Sequence, residues 1–525
     1  MKRALRWIAS PPAGTLAAVT LLASAAVYLS TAQRTYRIGL PLDDAWIHQT
    51  YARNLAELGQ WAFIPGQPSA GSTAPLWTAI LAVGYWLQLN PLVYAFGIGM
   101  VMLGLVAWLV SRWVQVLVPE RSGWVWALGV LVTLEWHLVW AGLSGMEVLP
   151  LAGLALLICL AAEAKWLGPA RLGLLIGVGA WLRPDALSLV VVPLGGMVFG
   201  ERRRVIPGLV RFAAGLSAIL VPYLLWQRSL SGEIWPNTAF AKQAEYAVLR
   251  EIPLAIRLAA QAGLPGGWLG AEGLDPGGPL VGVMAILAPG LLLYGIVQLR
   301  ARRFDRLLPL VWSAAYLGLY AARLPATYQH GRYAMPVLPI WMALGCAGML
   351  GGLRPLSDRF GRRVLARTWI GLVPIIGGYF WLAGAQAYGR DVAIIESEMV
   401  DSARWVADHT PPGALVAAHD IGALGYFGQR PLIDLAGLID SSVVPILRDE
   451  PALARYVSER GADYLMTFPG WYPQLTAGKV PVYVTGGRFS PAAGSENMAV
   501  YRWESSSFAP CGGCAILAKL WQGRP

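Results

Sequence analysis

The chain has 525 residues, of which 56% are hydrophobic and only 14% charged, and its mean hydropathy is +0.51. Soluble domains carry about 25% charged residues, so this composition excludes an ordinary soluble protein and indicates a polytopic membrane protein. The net charge of +11 does not point to nucleic acid, because the basic residues are scattered among short loops between apolar runs, where they report sidedness.

Lys2, Arg3 and Arg6 precede an apolar run to about Tyr28. It reads as an uncleaved first span rather than a signal peptide, because the rest of the chain is itself membrane-embedded. A cytoplasmic start leaves Pro41-Leu42-Asp43-Asp44-Ala45-Trp46-Ile47-His48 outside. Two acids at the rim of the hydrocarbon are costly and mark a functional site. A helix is expected over Asp44–Leu58, with Asp43 as a cap, Gly59 as the C-cap and the stripe Ile47, Tyr51, Leu55, Leu58 facing the interface. His48 falls one turn after Asp44, where the two can pair. Pro75–Leu89 is shorter than the roughly 20 residues needed to cross and is read as interfacial.

The following spans run near 91–111, 123–141 and 148–163, then as two segments flanking Leu182-Arg183-Pro184-Asp185, then near 206–227. Three more end at Arg300, Tyr328 and Arg354, and a last covers about 367–387. This count of about eleven transmembrane helices puts every arginine-rich loop on the cytoplasmic side. It leaves two large external loops, 33–90 and 228–278. Ser144-Gly145-Met146-Glu147 has the form of a capping box, and Asp185 that of an acid in the first turn of a span.

Past about residue 390 the composition changes. Met399–His409 reads as an amphipathic helix. Ala414–Ala418, Leu432–Leu435, Tyr464–Phe468, Val482–Val484 and Met498–Trp503 read as short strands. The organisation is therefore a transmembrane unit, 1–389, and a small extracytoplasmic α/β domain, 390–525. His419 and Asp420 read as a strand-end turn, and Trp471, Tyr472 and Trp503 as a glycan-binding set. Cys159 and Cys346 lie in apolar runs as packing residues. Cys511-Gly-Gly-Cys514 is a small disulfide if exported, with too few neighbouring ligands for a metal.

Sorted by side, the charges on the outer face are Asp43, Asp44, His48, Glu147, Arg183, Asp185, Lys242, His330 and Arg332, drawn from five loops. Arg332 and Lys242 run against the charge bias and suit an anionic headgroup.

These residues resemble a known family. The Asp43-Asp44 pair, Ala52-Arg53-Asn54-Leu55-Ala56, Pro65-Gly66-Gln67 and Gly71-Ser72-Thr73-Ala74-Pro75-Leu76-Trp77 resemble the GT-C glycosyltransferases, as do four later stretches. These are Ser144 to Glu147, Leu182 to Asp185, Pro236-Asn237-Thr238-Ala239-Phe240-Ala241-Lys242 and Arg332-Tyr333-Ala334-Met335-Pro336. The similarity is to bacterial relatives of protein O-mannosyltransferases and of mycobacterial arabinofuranosyltransferases, and it covers roughly residues 35–340. It implies an integral membrane enzyme of the plasma (inner) membrane. Such an enzyme moves a hexosyl or pentosyl unit from a polyprenyl-phosphate donor to an extracytoplasmic glycan, lipid or protein acceptor.

On that reading one acid of the pair is the general base and the anomeric carbon is inverted. Asp44 is the first choice, with Asp43 orienting the acceptor or capping the helix; the reverse assignment stays open. Arg332, Lys242 and Arg183 hold the donor phosphate, and His48, Glu147, Asp185 and His330 contact substrate. The lipid tail lies between spans near helix 75–89. A monophosphate donor requires no metal or other cofactor. A pyrophosphate donor would bring a divalent cation, for which Asp43, Glu147 and Asp185 offer oxygen ligands. The rival functions are a transporter or flippase of glycolipid precursors and a non-catalytic glycolipid-binding protein. No inverted repeat or broken midplane helix is read from the sequence, and the outer-face charges gather at one side, which disfavours the first. The identities of sugar and acceptor are not written in the sequence.

Overall fold

The structure, a computed structural model, describes residues 11–120, 125–199, 205–264, 278–352 and 360–504. Lys2, Arg3, Arg6 and the Cys511–Cys514 pair lie outside them. Among the described residues five helical stretches are long and apolar enough to cross a membrane: Gly14–Thr35, Pro91–Leu117, Val205–Ser231, Tyr328–Gly352 and Arg363–His409. Other expected spans are shorter helices, among them Val148–Ala164, Pro169–Leu182, Pro184–Val198 and Met284–Arg300. The chain is a helical membrane protein.

The membrane-embedded part opens with α1 (Pro11–Thr35). A helix α2 (Asp43–Leu58) follows, and it ends at Gly59 with φ 67°, the left-handed C-cap expected from sequence. Its start differs. The helix begins at Asp43 itself and has no side-chain cap, so Asp43 is free to reach elsewhere. A two-stranded ribbon, β1 (Ala62–Ile64) with β2 (Gln67–Pro68), leads to α3 (Pro75–Trp86). At 12 residues α3 is about 18 Å long and packs beside α2.

The next long helix is α4 (Pro91–Leu117), capped by the Asn90 side chain. The span expected at 123–141 is broken into α5 (Val125–Leu134) and α6 (Trp136–Gly142). Glu135 breaks it, because its carboxylate caps the second piece through the Leu138 N–H. Then come α7 (Val148–Ala164), α8 (Pro169–Leu182), a tight-turn segment Pro184–Val190 and α9 (Val191–Val198). After α10 (Val205–Ser231), the long loop carries α11 (Asn237–Glu245) and α12 (Leu254–Ala262). The bundle closes with α13 (Met284–Arg300), α14 (Leu308–Arg323), α15 (Leu338–Gly352) and α16 (Phe360–Ile395).

Helix α7 measures the bundle. Glu147 precedes its first turn and Glu163 lies in its last, about 25 Å away. Glu163 pairs with Arg306 at 2.9 Å, joining the loops after α7 and α13 at one end. Asp44, Arg183, Lys242 and Arg332 gather at the other. Cys159 and Cys346 are buried packing residues, as read.

The C-terminal part does not hang from a linker. Helix α16 passes through a wide turn, Glu396–Val400, straight into α17 (Asp401–His409). Five strands follow: β3 (Val416–Ala418), β4 (Leu432–Asp434), β5 (Tyr464–Thr467), β6 (Pro481–Val484) and β7 (Ala499–Arg502). They form one sheet in the order β4-β3-β5-β7-β6, with β3 parallel to β4 and β5, and β7 antiparallel to β5 and β6. Helix α18 (Glu450–Glu459) covers the face whose core includes Leu453, Val457 and Leu465. Tyr472 and Trp503 are buried in that core, so they are structural, against the expectation that they bind glycan. The other face, through Val416, Ala418 and Ile421, is continuous with the core of the bundle.

Candidate active site

The N-terminus of α2 carries both acids, and their side chains take different partners. Asp44 Oδ2 accepts from Lys242 Nζ at 2.7 Å and from Arg332 NH2 at 2.5 Å. Burial alone would raise the Asp44 pKa, but the two cations hold it well below the usual carboxylate range. For Lys242 burial works downward, and the Asp44 charge raises it on balance. Arg332 is 2% exposed. Its guanidinium lies 4.9 Å from the Tyr333 ring centroid and 5.9 Å from that of Tyr328. Its Nε and NH1 groups are buried without a hydrogen-bond partner among the described residues. Such buried donors are open to an anion or a water.

Asp43 turns toward the C-terminal region. Its Oδ2 accepts from Gly422 N and its Oδ1 from Ala423 N, both at 2.7 Å. A Cβ on Gly422 would meet the Asp43 carbonyl oxygen at 2.1 Å, so only glycine allows this approach. Burial lifts the Asp43 pKa to about 6; the two N–H groups oppose the rise and the Asp44 charge adds to it.

A second cluster surrounds Arg183, which donates to Glu147 at 3.0 Å, to Asp185 at 3.2 Å and to the Tyr320 hydroxyl at 2.7 Å. Asp185 also accepts from Tyr316 at 2.7 Å and from Tyr320. The Arg183 guanidinium is 5.4 Å from the Tyr333 ring, and Tyr333 in turn faces Arg332, so the two clusters share this wall. Ser144 does not form a capping box with Glu147. Its hydroxyl serves the local turn through Ala141 O and Met146 N, while Glu147 faces Arg183.

His48 does not pair with Asp44. Its Nδ1 meets Thr78 at 3.0 Å and Ser72 at 3.2 Å, and its Nε2 stands 3.6 Å from Glu147. Burial lowers its pKa, favouring the neutral ring. His330 pairs with Asp391, at 2.7 Å.

The oxygen ligands weighed for a divalent cation do not meet. Asp43 is engaged by backbone N–H groups, whereas Glu147 and Asp185 converge on Arg183. Among the described residues no three His, Cys, Asp or Glu side chains come together as a metal cluster.

Sequence reasoning missed the contribution of the C-terminal region. His419 lies 3.5 Å from Glu245, one turn beyond Lys242 on α11, and 2.7 Å from the Tyr472 hydroxyl. Burial works to lower its pKa, but the hydrogen bond and charge of Glu245, with Asp420 and Asp434, raise it to about 9. Burial and the Asp43 charge push Asp420 up to about 8, and its Oδ2 has no hydrogen-bond partner among the described residues. The available signal was the pair of polar residues His419-Asp420 at the end of an apolar strand.

Beside the site an apolar groove of about 800 Å³ runs along α3, α4 and α7, lined by Trp77, Ile80, Tyr94, Val101, Trp108 and Leu157 among others. It reaches Leu182, the residue before Arg183.

An acid pair, its cations and an apolar groove thus lie together in a helical bundle. The chain is similar in structure to ArnT from Cupriavidus metallidurans, crystallised with undecaprenyl phosphate, at TM-score 0.54 and 16% identity; the match covers 94% of this chain and 99% of that one. It is also similar to the Archaeoglobus fulgidus oligosaccharyltransferase, at TM-score 0.60 and 12% identity, over 88% of this chain and 70% of that one. That enzyme, AglB, is also seen with an inhibitory peptide and a dolichol-phosphate. Both are GT-C superfamily glycosyltransferases, and the fold of this chain is the GT-C fold. Residues 390–503 match a family model described as Domain of unknown function (DUF8728). Comparison with the curated proteins finds no match in sequence.

Proposed function

We propose that this protein is an extracytoplasmic-facing glycosyltransferase of the plasma membrane. It transfers one sugar from a polyprenyl-phosphate donor to a glycan, lipid or protein acceptor, with inversion. The observation that carries the reading is the pairing of half-buried Lys242 with buried Arg332, two of whose donors have no partner among the described residues, together with an apolar groove whose lining includes Leu182, the residue before Arg183. A phosphate would satisfy those donors and a polyprenyl tail would fill the groove. The fold supports this, as does the undecaprenyl phosphate bound by ArnT.

The charge environment divides the labour of the acid pair. Asp44 is neutralised by two cations and is a weak base in that state. Its carboxylate occupies the cations until the donor phosphate takes them. Asp43 makes no ion pair among the described residues and feels only the more distant His419 charge, and a pKa of about 6 suits a base working near neutrality. The proposal therefore assigns the base to Asp43 and the organisation of the cations to Asp44, the reverse of the first choice from sequence. Asp43 takes the proton of an acceptor hydroxyl. The acceptor oxygen bonds to the anomeric carbon as the carbon–oxygen bond to phosphate breaks, and the polyprenyl phosphate departs held by Lys242 and Arg332. Arg183, locked to Glu147 and Asp185, gives the phosphate pocket a further positive wall, with His48 as a neutral support behind Glu147.

The test is transfer from defined polyprenyl-phosphate sugars by the purified chain. Asp43→Asn is expected to lower turnover about 10²–10⁴-fold, with undecaprenyl phosphate still bound. Wild-type turnover in both Asp43→Asn and Asp44→Asn would sink the reading.

A further inference from the structure

Arg332 reaches Asp44 from a stretch of backbone that side-chain-bearing residues rarely adopt. Gln329, His330 and Gly331 have φ values of 55°, 59° and 66° in succession. Glycine tolerates this region, whereas glutamine and histidine persist there only when the surroundings over-determine them. The turn is closed by Gly331 N donating to Thr327 O at 3.0 Å and Arg332 N donating to Gln329 O at 3.2 Å.

One side chain in the strained triplet is anchored from outside the loop. His330 Nε2 lies 2.7 Å from Asp391 Oδ2, and the same oxygen accepts from Trp140 Nε1 at 2.8 Å. The His330 ring stands edge-on to Trp136 and Trp140, at centroid separations of 5.1 and 5.5 Å. Trp140 is fully buried, so the anchor is rigid. Asp391 sits near the end of α16, which continues into the C-terminal region that holds Asp43. The acid is thus fixed to the same rod that leads to the proposed base.

We propose that His330 and Asp391 are positioning residues. Joined to each other, they hold the left-handed turn Gln329-His330-Gly331 and so aim the Arg332 guanidinium at Asp44 and at the donor phosphate. This rests on the reading of Arg332 as a phosphate cation. It replaces the expectation that His330 contacts substrate, and it gives a role to Asp391, a residue that no sequence argument singled out. Released from the anchor, the turn relaxes toward right-handed backbone, and Arg332 moves off its line while keeping its charge.

The experiment uses the full chain in nanodiscs with undecaprenyl phosphate as the probe. His330→Ala and Asp391→Asn are expected to weaken its binding about tenfold. Trp140→Phe, which keeps the packing and removes one donor to Asp391, is the milder variant, with a loss of about threefold. Because the anchor acts through Arg332, adding either stronger substitution to Arg332→Ala is expected to cost nothing further. Wild-type binding in the single variants, or losses that add on the Arg332→Ala background, would overturn the proposal.

A readout independent of lipid is the rate of phenylglyoxal modification at Arg332, followed by peptide mass. It is expected to be slow in the wild type and about tenfold faster in His330→Ala and Asp391→Asn, and equal rates would overturn the proposal. If Arg332→Ala itself binds undecaprenyl phosphate normally, the phosphate reading fails, while the modification rates still decide whether His330 and Asp391 position Arg332.

Discussion

Lys242 and Asp44 stand 198 positions apart in the sequence, and their charged atoms are 2.7 Å apart in the structure. The acid serves as a placeholder for an anion. Lys242→Ala is therefore expected to weaken undecaprenyl phosphate binding about 10–100-fold, the worth of a charged hydrogen bond. Asp44→Asn, which frees both cations, is expected to bind the same lipid at least as tightly as wild type. Equilibrium binding at fixed ionic strength checks both, and weaker binding by Asp44→Asn would contradict the placeholder role.

The Asp43 environment sets a pH dependence. A base must be deprotonated to act, so kcat/KM is expected to fall below about pH 6, where burial places the Asp43 pKa. The Asp44 charge contributes to that elevation. Residual activity in Asp44→Asn is thus expected to show its acid limb at lower pH than wild type. A pH–rate profile decides it, and a limb that moves upward would argue against Asp43.

His419 and Glu245 tie the C-terminal region to the helix that bears Lys242. The folded pKa of His419, about 9, lies above the unfolded value near 6.5, so the folded chain binds this proton more tightly. The resulting stability is fully present below about pH 6.5 and is lost as pH rises through about 9. It amounts to at most about 3 kcal/mol, and the lowered pKa of Glu245 is the same interaction seen from its partner. Thermal melting of the full chain between pH 6.5 and 9 is expected to show this decline, and His419→Ala to flatten it.

The groove offers a test of lipid length. A Cβ at Gly97 meets no atom within 4 Å, although the residue lines the groove. Gly97→Phe is expected to raise KM for a long-chain polyprenyl donor about tenfold, through contact area denied to the tail, and to leave a short-chain donor unaffected. Equal effects on both donors would place the tail elsewhere.

Much of this was legible because it is local. The Gly59 cap, the short helix after Pro75 and all five C-terminal strands follow from spacing and turn residues within a few positions. The charges around the site were legible too, since burying them in an apolar bundle demands a reason. Their pairing was not. Asp43 looked like a helix cap because an acid before an apolar stripe usually is one, and its true partners, Gly422 and Ala423, lie 379 and 380 residues away. His48 and Glu147 likewise had plausible neighbours in sequence, yet both were claimed by longer-range contacts. Local pattern cannot rank such competitors, because the winner is fixed by packing between helices.

The uninterrupted passage from α16 into α17 carries a consequence of angular phase. A helix turns about 100° per residue, and a single wide turn is in effect one inserted residue. The wide turn at Glu396–Val400 therefore fixes the heading of the C-terminal sheet about the last span, and with it the edge that carries Gly422 to Asp43. One residue added or removed between Asp391 and Asp401 would swing that edge away from the acid pair while leaving every other element intact. Seven added residues would nearly restore the heading but raise the sheet about 10 Å. The site is thus set by a dial and a ruler combined in one helix.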